Sequence, residues 1–355
     1  MQPTGFVERW LPGTIVSRPY ANANVNANNN RFNMGHAQAH WTIPFNEVAR
    51  LNDLVSTMNP DLALPFAVHC VLDARDALGE SPVWSAAERA LYRVDILGAC
   101  VHRWQPETGA QTRWGLPAHV GSLALRAGGG IVVALRSGFA MLDTTTGAVT
   151  ALLHPEPEMV HIRLNDGKVS PEGRYWAGTM DDRPEKEAVA SLYRLDADQR
   201  CHRAVTGLKI SNGLAWSPDG RTMYHSDSRA AMVWRYAYDP ASGALGEREV
   251  FIAYQPEWGR PDGAAVDAEG CYWSAGVTAG RLNRFSPDGV LLGYVPMPVS
   301  HPTMPCFGGP DLKTLYVTSL RAEVPAGMLE HTPLAGGVFA LQPGVAGVPV
   351  GVYAG

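Results

Sequence analysis

The sequence predicts an all-β chain: a six-bladed β-propeller with four-stranded blades over residues 66–355, preceded by a mostly irregular N-terminal extension, residues 1–65. Three observations carry this. Gly 37 and Pro 27 among 355 residues exceed the usual share of turn formers without reaching low complexity. Trp 10, Tyr 12 and Phe 9 supply the aromatic residues that strands favour. Most specific is a layout shared by six segments: an anchor residue, an apolar residue four positions on, a turn, and then an apolar or aromatic strand.

Taken in chain order, the extension comes first. Seven asparagines fall between Asn22 and Asn33, with only Val25 and Phe32 as large apolar groups. Such a stretch buries too little surface to offset its ordering entropy, so it is expected to be disordered. Asn46 then reads as an N-cap, with Glu47 in the first turn and Val48, Leu51, Leu54, Val55 and Met58 on one face. That pattern predicts a short helix over about 46–58, used for packing or a dimer contact. A start at Met34 or Met58 would remove much of this region.

From Phe66 the texture changes. Residues 66–72 form a run placed to supply the outer strand that closes the ring with the last blade. The anchors follow: Glu80 with Trp84, Gly121 with Leu125, Asn165 with Val169, Asn212 with Trp216, Asp262 with Val266 and Thr303 with Phe307. Their separations are 41, 44, 47, 50 and 41 residues, the length of a four-stranded propeller blade. Three of the turns read Ser170-Pro171-Glu172-Gly173, Ser217-Pro218-Asp219-Gly220 and Asp267-Ala268-Glu269-Gly270, good β-turn chemistry. The next strands begin near Tyr92, Val132, Trp176, Tyr224, Trp273 and Tyr316. An eight-stranded sandwich would not explain the shared offset of four.

Composition excludes several classes. The net charge of −5 argues against a nucleic-acid groove. No apolar run approaches a membrane span, and residues 1–30 lack the apolar core of a secretory signal. Five scattered cysteines with no CxxC pair argue against a disulfide framework or a cysteine zinc site and fit a reducing cytoplasm. The sequence holds no G-x-S-x-G elbow, P-loop or G-x-G-x-x-G, against a serine hydrolase, an NTPase or a dinucleotide enzyme. Gly128-Gly129-Gly130 reads as a hairpin turn.

Equivalent positions in a propeller share one radius and height, so the six anchors should converge on one mouth of the central channel. Two carboxylates and two carboxamides with small companions make an oxygen-rich ring that suits Ca²⁺, Mg²⁺, Mn²⁺ or Zn²⁺. The same residues could instead cap strands and bind channel water, and spacing alone leaves both readings open. His225 and His301 stand alone and read as structural, although His301, close to Thr303, could line the mouth with Thr303 and Gly121. Asp227 reads as a turn or inter-blade contact. The cluster Asp181, Asp182, Glu185 and Glu187 reads better as a solvated loop than as a loop over the channel.

Six motifs go further. Gly79-Glu80-Ser81-Pro82-Val83-Trp84, Arg163-Leu164-Asn165-Asp166-Gly167-Lys168, Tyr175-Trp176-Ala177-Gly178-Thr179-Met180, Ser211-Asn212-Gly213-Leu214, Pro261-Asp262-Gly263 and Cys306-Phe307-Gly308-Gly309 occur in this order at propeller spacing. Across roughly 68–355 the sequence resembles the SMP-30/gluconolactonase (regucalcin-like) family. The resemblance implies a hydrolase opening the ester ring of a small-molecule sugar lactone, with one divalent cation in the channel. It implies Glu80, Asn212 and Asp262 as metal ligands, Asp262 also as acid/base, and Arg163 and Asn165 as substrate contacts. One departure stands out. Family members often carry an acidic substrate contact three positions beyond the Met of the Gly-Thr-Met motif, where this chain has Arg183. Two readings from other classes remain: the same metal site acting on a non-sugar lactone or phosphotriester, and a non-catalytic binding propeller.

Overall fold

The structure, a computed structural model, describes residues 62–322 and 324–355. The asparagine-rich stretch and the expected helix at 46–58 lie outside the described residues.

Among the described residues, twenty-four strands form six four-stranded antiparallel sheets. The first blade is β1's successor in the chain, so the outer strand β1 (His69–Leu72) waits until the end for its sheet. Blade one is β2 (Gly79–Ser85), β3 (Ala90–Asp95), β4 (Cys100–Trp104) and β5 (Gln111–Gly115). Blade two is β6 (Val120–Leu125), β7 (Ile131–Leu135), β8 (Gly138–Leu142) and β9 (Val149–Leu153). Blade three is β10 (Ile162–Val169), β11 (Tyr175–Asp181), β12 (Ala190–Leu195) and β13 (Cys201–Leu208). Blade four is β14 (Ser211–Trp216), β15 (Thr222–Asp227), β16 (Met232–Asp239) and β17 (Ala244–Ala253). Blade five is β18 (Arg260–Val266), β19 (Tyr272–Val277), β20 (Arg281–Phe285) and β21 (Leu291–Pro296). Blade six is β22 (Pro302–Gly308), β23 (Thr314–Ser319) and β24 (Val338–Leu341), with β1 on its outer edge.

The predicted closure is therefore observed. β1 pairs antiparallel with β24, His69 opposite Ala340 and Leu72 opposite Val338, so the two ends of the propeller sequence share one sheet. All six anchor pairs lie on the innermost strands, as their common offset requires. Among the described residues, helix is limited to a 3₁₀ turn at Pro256–Trp258 and one turn at Ala326–Leu329. Among the described residues, no helix is long and apolar enough to cross a membrane.

Burial grades outward along each blade. The innermost strand β10 is buried at every position, whereas the outer strand β5 is largely exposed. Packing energy is concentrated between blades: six apolar clusters among the described residues each join two neighbours. Trp176 packs on Trp216 across the blade three–four junction, and Trp84 stacks on Tyr316 across six–one at 5.7 Å. Each buried aromatic of this size contributes several kcal/mol against an open gap, roughly 3–5 by truncation. The ring thus closes by packing as well as by strand pairing.

The C-terminal segment closes one end of the channel. It runs from a bridge between Gly347 and Asp267 to bonds from Val348 N–H to the Val266 carbonyl (2.9 Å) and Tyr353 N–H to the Leu125 carbonyl (2.8 Å). Beneath it a cavity of about 30 Å³ remains, lined by Lys168, Trp216, Phe307 and Val348–Val350 among others.

Candidate active site at the open mouth of the channel

Every innermost strand has an irregular register at its anchor. The skips fall between Glu80 and Val83, Val120 and Ser122, Leu164 and Gly167, Asn212 and Ala215, Pro261 and Ala264, and Pro302 and Pro305. A bulge bends the strand and re-aims a side chain, which here turns the anchors away from the ladder and toward the axis. Two anchors are followed by backbone in the left-handed region: Ser81 at φ 45° and Gly213 at φ 63°. At Gly213 a Cβ would lie 2.5 Å from both Ser226 Oγ and Tyr272 Oη, so only glycine fits there.

The polar anchors are joined by hydrogen bonds running around the mouth. Asn212 Nδ2 donates to Asp262 Oδ1 at 2.7 Å and to Ser228 Oγ at 2.7 Å. Asn165 Nδ2 donates to Asn212 Oδ1 and to the Ser211 carbonyl, both at 3.0 Å. Arg163 Nη1 donates to Asn165 Oδ1 at 2.8 Å, and its Nε reaches Asp182 Oδ1 at 3.4 Å. Asp182 in turn accepts from Arg136. One chain of contacts therefore links Asp262 on the fifth blade to Arg136 on the second.

Electrostatically the mouth is short of positive charge at its centre. Glu80 is buried, and its carboxylate accepts the Ser81 N–H at 2.8 Å. Burial, then Asp262 and Asp166, push its carboxyl well above the usual range. Asp166 is also buried; desolvation raises it, and its Oδ1 has no hydrogen-bond partner among the described residues. Lys168, which lies beside these carboxyls, has its ammonium destabilised by burial and donates to the Ala264 carbonyl across the channel. Clustered carboxylates of this kind are held ionised by a cation or become protonated. Glu80, Asp262 and the second lone pair of Asn212 Oδ1 offer hard oxygen ligands of the kind Ca²⁺, Mg²⁺ or Mn²⁺ takes, so the donor set fits a divalent cation.

Two anchors do other work. At Gly121 a Cβ would sit 2.5 Å from the Leu164 and Asn165 carbonyls, so glycine lets blades two and three approach. Thr303 Oγ1 donates to the Gly79 carbonyl at 2.6 Å and lies 2.9 Å from Thr318 Oγ1, tying blade six to blade one. His301 precedes β22 and contacts Ser300 Oγ at 2.8 Å. His225 is fully buried against Ser211 Oγ at 2.7 Å, with its pKa lowered to about 3 by burial, a structural group as expected. Asp227 accepts the N–H groups of Lys209, Ile210, Arg229 and Ala230.

The acidic loop is solvated at Asp182, Glu185 and Glu187 as expected, and one of its members is a correction. Asp181 is not solvated: it is completely buried and accepts from Arg183 Nε and Nη2, both at 2.9 Å, which holds its carboxyl far below the usual range. Arg183 spends its guanidinium there and on Glu187. The acidic side chain facing Arg163 is Asp182, one residue earlier than the position the sequence pattern pointed to. Asp166, Lys168 and Ser228 also went unassigned by sequence reasoning, although Asp166 and Lys168 stand inside the Arg163–Lys168 motif. A second group of potential ligands, Asp267, Glu269 and Cys271, lies on the β18–β19 hairpin, but Arg284 bridges both carboxylates and Trp273 Nε1 donates to Asp267.

Fold and mouth define a six-bladed propeller with a small polar site at the open end of its channel. The chain belongs to the SMP-30/gluconolactonase/LRE-like family, whose model matches residues 78–321. It is similar to a 6-deoxy-6-sulfogluconolactonase of Pseudomonas putida, 42% identical over 81% of this chain and 98% of that protein. Among solved structures it is similar to a calcium-binding protein, regucalcin, of Agrobacterium tumefaciens: TM-score 0.77, 29% identity, 82% and 98% of the two chains covered. A gluconolactonase from Xanthomonas campestris matches with TM-score 0.62 and 25% identity, covering 81% and 92%.

Proposed function

We propose that this lactone hydrolase opens the ring ester of a sugar (aldono-) lactone at the mouth of the channel. The observation that carries the reading is the contact chain from Asp262 through Asn212 and Asn165 to Arg163, set beside a buried, under-compensated Glu80. Glu80, Asn212 and Asp262 would hold one divalent cation, which when bound would polarise the lactone carbonyl as a Lewis acid.

The chain's own groups supply the rest. Arg163 would turn an N–H donor toward the lactone's hydroxyls or ester oxygen. Asn165, whose two amide protons go to the Ser211 carbonyl and Asn212 Oδ1, would accept from a substrate hydroxyl at the second lone pair of its Oδ1. Asp262 is half-buried and held by Asn212, so it stays aimed at the axis. In the reaction a water oxygen bonds to the carbonyl carbon while Asp262 accepts its proton. The ring C–O bond then breaks and the departing oxygen takes that proton, leaving an open hydroxy acid. Five free cysteines support a reducing compartment, the cytoplasm, for this chemistry.

The test is acid release followed by pH-stat on a panel of pentono- and hexonolactones, with and without EDTA and with single cations restored. Hydrolysis that EDTA abolishes and one cation restores supports the reading. Inactivity across the panel with every cation would leave a binding propeller, and activity on phosphotriesters alone would move the substrate class.

A further inference from the structure

Two side chains of one strand reach across the channel to the strands that carry two of the three proposed cation ligands. Asp166 and Lys168 both stand on β10 in blade three, and both are buried, at 3% and 6% exposure. Asp166 Oδ2 accepts the Leu214 N–H of β14 at 3.4 Å, and the N–H groups of Gly167 and Gly213 lie against the same carboxylate. Lys168 Nζ donates to the Ala264 carbonyl of β18.

The two contacts repeat one pattern. Asn212 is followed by Gly213 and then by Leu214, which Asp166 holds; Asp262 is followed by Gly263 and then by Ala264, which Lys168 holds. Both segments fall in the register skips of their strands, Asn212 to Ala215 and Pro261 to Ala264. A glycine behind each ligand leaves the backbone there free to turn, so the aim of the ligand depends on what holds the next residue. At Gly213, with φ 63°, the carbonyl is also held by Tyr272 Oη at 2.8 Å. Packing alone would not select Lys168. A buried ammonium is costly, and among the described residues its hydrogen bond goes to main chain rather than to a carboxylate.

Resting on the cation reading above, we infer that Asp166 and Lys168 are positioning residues that fix the spacing of Asn212 and Asp262, and so decide which divalent cation the mouth prefers. They act through the main chain of Leu214 and Ala264. The spacing matters because Mg²⁺ demands near-octahedral oxygens at about 2.0–2.1 Å, whereas Ca²⁺ takes more oxygens at about 2.3–2.6 Å.

The experiment titrates metal-stripped, full-length protein with Ca²⁺, Mg²⁺ and Mn²⁺ in a calorimeter and compares the ratios of their dissociation constants. The wild-type chain should favour one of the three. Lys168→Met keeps most of the side chain's length and removes the grip. It should weaken the favoured cation by about 10- to 100-fold, the usual cost of losing an outer contact of a metal site, and weaken the others less. Asp166→Ala should act in the same direction, while Asp166→Asn, which keeps an oxygen for the Leu214 N–H, should retain the wild-type order of preference. Loss of a positive charge alone would instead strengthen all three cations by one common factor, and a merely structural lysine would lower the melt without moving the ratios. Unchanged ratios in Lys168→Met therefore overturn the positioning role and leave the cation reading intact; should Asp166→Ala fail to fold, Lys168→Met carries the test. A wild-type chain that binds the three cations alike also overturns the inference, because no preference would then be set. If the wild type binds none of them, the cation reading falls and the inference with it.

Discussion

At the mouth of the channel the innermost strands are bulged and carry Glu80, Asn165, Asn212 and Asp262; at the far end the same strands carry Trp84, Val169, Trp216, Val266 and Phe307. The far end is closely packed, with Trp216, Val266 and Phe307 each at 4% exposure or less under the C-terminal segment. The mouth gathers three buried or half-buried carboxyls around one lysine and leaves Asp166 Oδ1 without a hydrogen-bond partner among the described residues. One end therefore stores stability and the other spends some of it to keep unneutralised oxygen ligands in place. This division fits the propeller's geometry, in which chemistry at one end of a strand need not disturb packing at the other.

The sharpest way to break the comparison is to truncate one residue at each end. Asp262→Ala should reduce kcat/KM for lactone opening by on the order of 10³-fold or more, through lost acid/base and cation-binding capacity. Its far-UV circular dichroism and cooperative melt should persist. Phe307→Ala should do the opposite. It removes a ring packed 6.5 Å from Trp273 and should cost about 3–5 kcal/mol of unfolding free energy, read by denaturant titration, while lactone turnover well below the melting point stays near wild type. If Phe307→Ala lost turnover without losing stability, the two ends would not be separable.

A smaller effect sharpens the boundary between them. His225 lies directly behind the mouth, its Nε2 2.7 Å from Ser211 Oγ beside Asn212, and burial lowers its pKa to about 3. The unfolded chain binds that proton near 6.5. Between about pH 3 and 6.5 the unfolded state therefore holds more protons, so stability falls as pH drops, by up to ~1.4 kcal/mol per unit. His225→Asn should melt lower at pH 7 but show a flatter pH dependence across that window. An unchanged slope would mean that His225 does not titrate as its burial demands.

Much of this division could be read from the residues. The fold followed from a repeated offset: an anchor and an apolar residue four positions on occupy the two ends of each innermost strand, and the Ser-Pro-Glu-Gly and Ser-Pro-Asp-Gly turns mark where the chain reverses. The closing strand was legible because residues 66–72 precede the first anchor with nothing else to pair with. The four donor anchors were legible for the same reason, since equivalent blade positions must converge. What the repeat did not carry was anything set by loops. Asp182 and Lys186 come from the β11–β12 loop and Arg136 from the turn between β7 and β8, and Arg136 and Asp182 meet only in space. Asp181 looked solvated because an acidic run normally is; Arg183, two residues on, folds back and makes its burial tolerable. Asp166 and Lys168 sit within or just beyond a bulge, where strict alternation no longer tells which side chains face the axis.

The most direct test of the central claim, that the mouth is built to hold one divalent cation, is calorimetric titration of metal-stripped protein with Ca²⁺, Mn²⁺ and Zn²⁺. The wild-type chain should bind one cation per molecule. Glu80→Gln keeps the shape but removes a carboxylate that its neighbours repel, so it should melt no lower than the stripped wild type and yet lose saturable binding. A wild-type chain that binds no divalent cation, or a Glu80→Gln variant that binds as tightly as the wild type, would contradict the account.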